Sequence, residues 1–213
     1  FAPTTASTSF EIRVNKQLVK LPATPFSFEK KGDIRVVSWN VQFGNLLDDT
    51  DRSARILKAL QPDVLLLQEL DGDDDLNQLG SFLISVLKGP WTFGFSLPSG
   101  TEKHHRLISA IATRFNANTA SVRPLSYSKS KPLKAAVCGI ETKTGPATFI
   151  SLHLRCCGGP NGEAELERQA QARTIRLILD SIPSETFIIA GDWNLVGTMK
   201  PLEIVMKNQF AIV

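Results

Sequence analysis

No apolar run in the sequence approaches the roughly 20 residues of a membrane-spanning helix, so nothing in it reads as a transmembrane segment. Charge of one sign is also in short supply. The chain has 24 Lys and Arg against 21 Asp and Glu, a formal net charge of +3. That mild basic balance admits an anionic substrate but lacks the dense basic patch of a dedicated nucleic-acid binder. Cysteine is scarce, with three among 213 residues, and the three follow no metal-binding spacing. Cys156 and Cys157 are adjacent, and Cys138 lies inside the strand-like run AVCGIE. A hairpin of that run with ATFISLHL would hold Cys138 too far from Cys156 for a disulfide, whose Cα atoms stand about 4.4–6.8 Å apart. The cysteines therefore read as free, or as paired outside this chain, and the redox compartment stays open. Internal repeats and low-complexity blocks are absent. So is an initial methionine, since the sequence opens on Phe1. The expectation is a removed signal sequence or a start inside a longer protein, which leaves a secreted or periplasmic location open.

What is present suits a globular domain. Hydrophobic residues make up 42% and charged residues 21%, enough for one sizeable core with an appendage. Residues 1–9 are small and polar, FEIRVNKQLVKL alternates about Asn15-Lys16 as a small hairpin does, and LPATPFSFEKKG is a connector. This divides the chain into a leader, hairpin and linker over residues 1–32 and a main domain over 33–213.

Within the main domain, strand patterns alternate with helix patterns. IRVVSW reads as a strand, and DDTDRSARILKAL as a helix with a cap-competent acidic start at Asp49 to Asp51. DVLLLQ is continuously apolar, as a strand buried on both faces is. The next helix places Leu76, Leu79, Leu83 and Leu87 on one face, after an acidic run Asp73 to Asp75 that suits a helix start. WTFGFSL, LISAIATRF, KAAVCGIET and ATFISLHL follow as strands. GEAELERQAQARTIRLILDSI is the longest helix, with Leu166, Ala170, Ile175 and Leu179 predicted to face inward, and TFIIAG is the last clear strand. The pattern is α/β with antiparallel strands in the middle third.

Four strands end alike. VVSW runs into Asn40, VLLLQ into Glu69, FISL into His153, and FIIAG into Asp192-Trp193-Asn194. One polar residue past a strand is a turn. Four of complementary types, at the strand ends where α/β sheets bind ligands, point to one site. Glu69 offers a hard oxygen to Mg²⁺ or Mn²⁺, an Asp can orient an attacking water, and a His can protonate a leaving oxygen. The set fits hydrolysis of a phosphate ester.

At these residues the sequence resembles the endonuclease/exonuclease/phosphatase superfamily. SWN at 38–40, QE at 68–69, LHL at 152–154 and GDWN at 191–194 match its motif series in order, over roughly Asp33 to the end. The resemblance implies a four-layer sandwich of two packed mixed sheets flanked by helices. It makes Glu69 the principal metal ligand, with Asn40 helping to set metal and phosphate geometry. His153 would act on the phosphate, and Asp192 and Asn194 would position nucleophile and scissile group. His105, Arg106 and Lys131 fall in stretches that, in the family, bring basic groups toward substrate phosphate. The expected cofactor is Mg²⁺ or Mn²⁺ and the expected substrate a phosphodiester, with nucleic acid the leading class. The alternatives are a phosphomonoesterase on inositol or phospholipid phosphates, and a non-catalytic binding module. Two departures stand out. Gln42 occupies a position where many members carry an acid, and the family's closing Ser-Asp-His motif has no counterpart. The chain is therefore expected to lack its last strands, and to be inactive as a fragment.

Overall fold

The computed structural model describes residues 10–14, 17–21, 30, 32–72, 76–96, 107–118, 125–128, 131–183 and 186–207. Strands β1 (Phe10–Val14) and β2 (Gln17–Leu21) pair antiparallel, with Val14 opposite Gln17, as the hairpin pattern requires. The acidic run Asp73 to Asp75 lies outside the described residues.

Two four-stranded mixed sheets form the body. The first contains β3 (Val36–Asn40), β4 (Val64–Asp71), β6 (Leu107–Thr113) and β5 (Thr92–Phe95), in that order. Here β3 and β4 run parallel, and β6 and β5 continue antiparallel. The second repeats that logic with β12 (Phe187–Asp192), β11 (Gly145–His153), β10 (Ala135–Thr142) and the short β7 (Ala117–Asn118). Its one parallel pair is β11 with β12, and β10–β11 is the expected hairpin, closing at Thr142 opposite Gly145. A small ribbon of β8 (Ser126–Ser128) and β9 (Lys131–Pro132) stands apart from both.

Strand β4 shows why a continuous apolar run is needed. Its side chains alternate between faces. Val64 and Leu66 point into the seam between the sheets, where Ile111, Ala136, Cys138, Ile140 and Phe149 meet them. Leu65 and Leu67 point the other way, onto α2 (Thr50–Leu60) and α3 (Leu76–Leu87) through Leu57, Leu79, Leu83 and Leu87. Each of these four β4 residues is fully buried, and burial on that scale stabilises by about 1.5–3 kcal/mol per side chain. Asp49 caps α2, its side chain accepting the Arg52 N–H at 3.0 Å, after the single turn of α1 (Asn45–Asp48).

The outer face of the second sheet packs on α4 (Glu163–Ser181) and on α5 (Lys200–Met206), a helix absent from the sequence expectations. Along α4 the inward stripe differs from the predicted one. Ile175 and Leu179 are buried as expected, but Leu166 is 60% exposed. The buried stripe runs Glu165, Arg168, Ala172, Ile175, Leu179, one position from Leu166 and two from Ala170. Glu165 and Arg168 can occupy it because they neutralise one another, Arg168 Nε donating to Glu165 Oε2 at 3.0 Å.

Candidate active site

The parallel strands of both sheets end side by side, and their last residues face one another. Asn40 closes β3 beside Gln68. His153 closes β11 directly opposite Asp192, the last residue of β12. The first sheet thus supplies Asn40 and Glu69, and the second His153 and Asp192.

Glu69 reaches the site through a backbone irregularity. The β4–β6 register slips between Leu67 and Leu70, so that Gln68 and Glu69 together oppose the one residue Ser109. Glu69 sits there at φ +62°, a left-handed conformation that costs a non-glycine residue about 1–2 kcal/mol. The loop after β3 fastens the bulge. Val41 N–H donates to the Gln68 carbonyl at 2.9 Å, and Gly44 N–H to the Glu69 carbonyl at 2.8 Å. The Phe43 N–H then donates to Glu69 Oε2 at 3.2 Å. Strain held in place by surrounding hydrogen bonds is characteristic of functional positions.

Asn40 joins the two halves. Its Oδ1 accepts the Gln42 N–H at 2.9 Å, which turns Nδ2 toward both carboxylates. Nδ2 donates to Glu69 Oε1 at 2.9 Å and to Asp192 Oδ2 at 3.1 Å. His153 Nε2 stands 3.7 Å from Glu69 Oε1 and 3.8 Å from Asp192 Oδ2. Ligand atoms of Glu69, His153 and Asp192 lie within 4.8 Å of one another, a group able to hold a metal ion.

The GDWN turn explains its own composition. Gly191 has φ +147°, and a Cβ there would lie 2.0 Å from the Leu152 carbonyl oxygen, so only glycine lets β12 approach β11 this closely. Asp192 Oδ1 accepts the Asn194 N–H at 3.1 Å, and Trp193 packs into the core behind. Asn194, at φ +48°, directs Nδ2 to the Leu154 carbonyl at 3.0 Å. Its amide thus braces the turn that presents Asp192.

Burial lowers the tendency of His153 to take a proton, while Glu69 and Asp192 pull the other way and Lys134 adds to the depression. Its Nδ1 is buried and has no hydrogen-bond partner among the described residues. Lys134 escaped the sequence reading. It immediately precedes β10, and its carbonyl accepts the His153 N–H at 2.9 Å. Burial pushes its ammonium below the ordinary lysine value, and the Glu69 carboxylate opposes that fall. The signal available was its place in KPLKAAV, at the strand end opposite His153. Lys131, the lysine of that stretch expected near the phosphate, is exposed and lies 3.6 Å from Glu167. His105 and Arg106 lie outside the described residues.

A profile of the endonuclease/exonuclease/phosphatase family matches residues 37–204. The chain belongs to that family. No curated protein sequence matches it, but solved structures do. The family protein from Bacteroides vulgatus superposes over 85% of this chain and 73% of its own, at 19% identity and TM-score 0.59. ANGEL2, a 2′,3′-cyclic phosphatase, covers 82% at 16% identity and TM-score 0.59, with 57% of its own length matched. TDP2 of D. rerio, solved with a single-strand DNA product, covers 79% at 18% identity and TM-score 0.53, with 63% of its length matched. These likenesses establish a shared fold. The chain spans less than two thirds of both ANGEL2 and TDP2.

Proposed function

We propose that this family member is a metal-dependent phosphoesterase that cleaves phosphodiesters, with nucleic acid as substrate. The observation that carries the reading is the facing of Glu69 and Asp192 across one asparagine amide, with His153 beside them. Two carboxylates held that close repel unless a cation sits between or near them. The donor set fits Mg²⁺ or Mn²⁺, hard ions that accept few carboxylates and keep several waters.

Glu69 and Asp192 would hold the ion, with Asn40 fixing the spacing between them. The ion would neutralise charge on the phosphoryl oxygens. The Lys134 ammonium feels the Glu69 carboxylate, and its role is to bind a phosphate oxygen. Asp192 orients the attacking water, held in turn by Asn194, which acts through it as a positioning residue. His153 Nε2 gives a proton to the leaving oxygen. Phe43 favours a nucleotide substrate. It is 60% exposed, its own N–H on Glu69 fixes it at the edge of the site, and an exposed ring offers a stacking face to a base.

The test is turnover by the full-length protein of single-stranded oligonucleotide, of inositol phosphates and of a phospholipid phosphate, each with Mg²⁺, Mn²⁺ or chelator. Metal-dependent release from the oligonucleotide alone supports the proposal. Preference for the monoesters moves the assignment to a phosphomonoesterase. Binding without turnover under all metals makes the chain a non-catalytic module on the same fold. Glu69→Gln should abolish the metal response while the far-ultraviolet circular dichroism stays unchanged.

A further inference from the structure

Cys156 and Cys157 take no part in the site chemistry, yet their surroundings are built with unusual care for an exposed loop. Both are exposed and free, and the Cys157 thiol donates to Cys156 Sγ at 2.9 Å. One buried guanidinium pins the backbone on either side. Arg168, wholly buried, donates from Nη1 to the Arg155 carbonyl at 3.0 Å and to the Cys157 carbonyl at 2.8 Å. Gln171 accepts the Arg155 N–H at 2.9 Å. Cys157 is held at φ +67°, a conformation that a cysteine does not choose freely. Gly158 follows at φ +73°, where a Cβ would lie 2.8 Å from that of Ala164. These contacts hold the backbone on both sides of the pair in place.

We propose that Cys156 and Cys157 form a reversible vicinal disulfide, a redox modification site at the rim of the active cleft. The sulfurs face one another at 2.9 Å, less than 1 Å beyond a bonded S–S distance of about 2.05 Å. The oxidant is a low-molecular-weight disulfide such as oxidised glutathione. One protein thiolate attacks a sulfur of that disulfide and expels the first small thiolate, leaving a mixed disulfide on the protein. The neighbouring thiolate attacks the protein sulfur and expels the second. Two protein thiols are oxidised, one small disulfide is reduced to two thiols, and the two protons lost by the cysteines go to those thiols.

The ring is strained, because adjacent Cα atoms stand about 3.8 Å apart across a trans peptide and ordinary disulfides span about 4.4–6.8 Å. Strained disulfides are the easily reduced ones. Lys134 senses the charge of both Glu69 and Cys156, so the couple lies within electrostatic reach of the site.

The experiment treats the whole chain with oxidised glutathione, quenches with acid, and measures intact and peptide masses. The expected product is a monomer lighter by two hydrogens, the loss confined to the peptide holding residues 156 and 157, and restored by a monothiol. The Cys156→Ser and Cys157→Ser variants should instead each retain one stable glutathione adduct. Retention of glutathione on both cysteines of the unaltered chain, a disulfide-linked dimer, or no reaction would each overturn the proposal.

Discussion

His153 and Asp192 are register partners on adjacent parallel strands, so their side chains leave the sheet in the same direction and converge at 3.8 Å. A one-residue slip of β12 would send Asp192 to the opposite face. Gly191 forbids that slip by admitting the Leu152 backbone where any side chain would collide. Partnership in the ladder, rather than proximity in sequence, makes the pair.

The left-handed bulge at Glu69 separates conformational strain from side-chain chemistry. Glu69→Ala and Glu69→Gly both remove the carboxylate, but only glycine relaxes φ +62°. In an ordinary strand glycine is the less stable of the two by about 0.5–1 kcal/mol. Here the order should reverse, with the glycine variant more stable by about 1 kcal/mol in urea unfolding. Equal stability would mean that the bulge carries no strain.

His153 should show itself through the leaving group. General acid help is worth about 10²–10⁴ in rate and shrinks when the leaving oxygen needs no proton. His153→Ala should therefore cripple cleavage of an alkyl phosphodiester and spare most activity on a nitrophenyl ester. Equal losses would make His153 a phosphate-binding group instead. Acidity gives a second readout, taken without metal. Burial keeps the folded imidazole less basic than the unfolded one, so the unfolded chain binds the extra proton first. Stability from this residue is present above an unfolded pKa of about 6.5 and is lost as pH falls through the folded value. His153→Gln should flatten that part of the profile.

Lys134 and Lys131 make a matched pair for kinetics. Lys134→Gln should raise KM for an anionic substrate about tenfold or more, since charged hydrogen bonds contribute about 1.5–3 kcal/mol. Lys131→Gln should do little, because an exposed ion pair of the kind it makes with Glu167 is worth about 0–1 kcal/mol. Similar KM values for the two variants would remove Lys134 from the site.

Thiol chemistry should divide the cysteines by burial. Cys138 is fully buried in the seam between the sheets, and burial pushes its thiol up to about 11. In the reduced chain at mildly alkaline pH, the exposed Cys156 and Cys157 should react with a colorimetric disulfide reagent well before Cys138, although the neighbouring Cys157 thiol and burial raise Cys156 as well. Cys138 should react only with denaturant or at pH near its raised value, because the thiolate is the nucleophile. Rapid labelling of all three in the folded chain would show that the seam opens.

Much of this was legible in the residues. The apolar runs and the polar residues that end them located β3, β4, β11 and β12, and Asn40, Glu69, His153 and Asp192 do meet. Lys131 and Lys134 look equivalent in KSKPLKAAV, and it is the register of the expected β10–β11 hairpin, with Ala135 opposite Leu152, that sets Lys134 beside His153. The bulge at Glu69 was hidden, because a glutamate carries no mark of left-handed backbone. Leu166 was expected inside, but Glu165 and Arg168, paired with one another, take the buried face, with Arg168 beneath the loop it anchors. Helix α5 is short and opens on Lys200-Pro201, so its sequence resembles a loop as much as a helix.

Gln68, the residue before the bulge, carries a consequence for the whole molecule. Wholly inside, its amide donates to Ser151 Oγ on the other sheet at 2.8 Å, and that hydroxyl donates back to the Leu67 carbonyl at 2.8 Å. This bolt lies one residue behind Glu69 and two behind His153. The gap between the carboxylates is therefore a gauge of how far apart the two sheets stand. Shaving the seam at Phe149, a residue of the core between the sheets, should detune the site as surely as altering a ligand, because the width of the cleft is the thickness of the core.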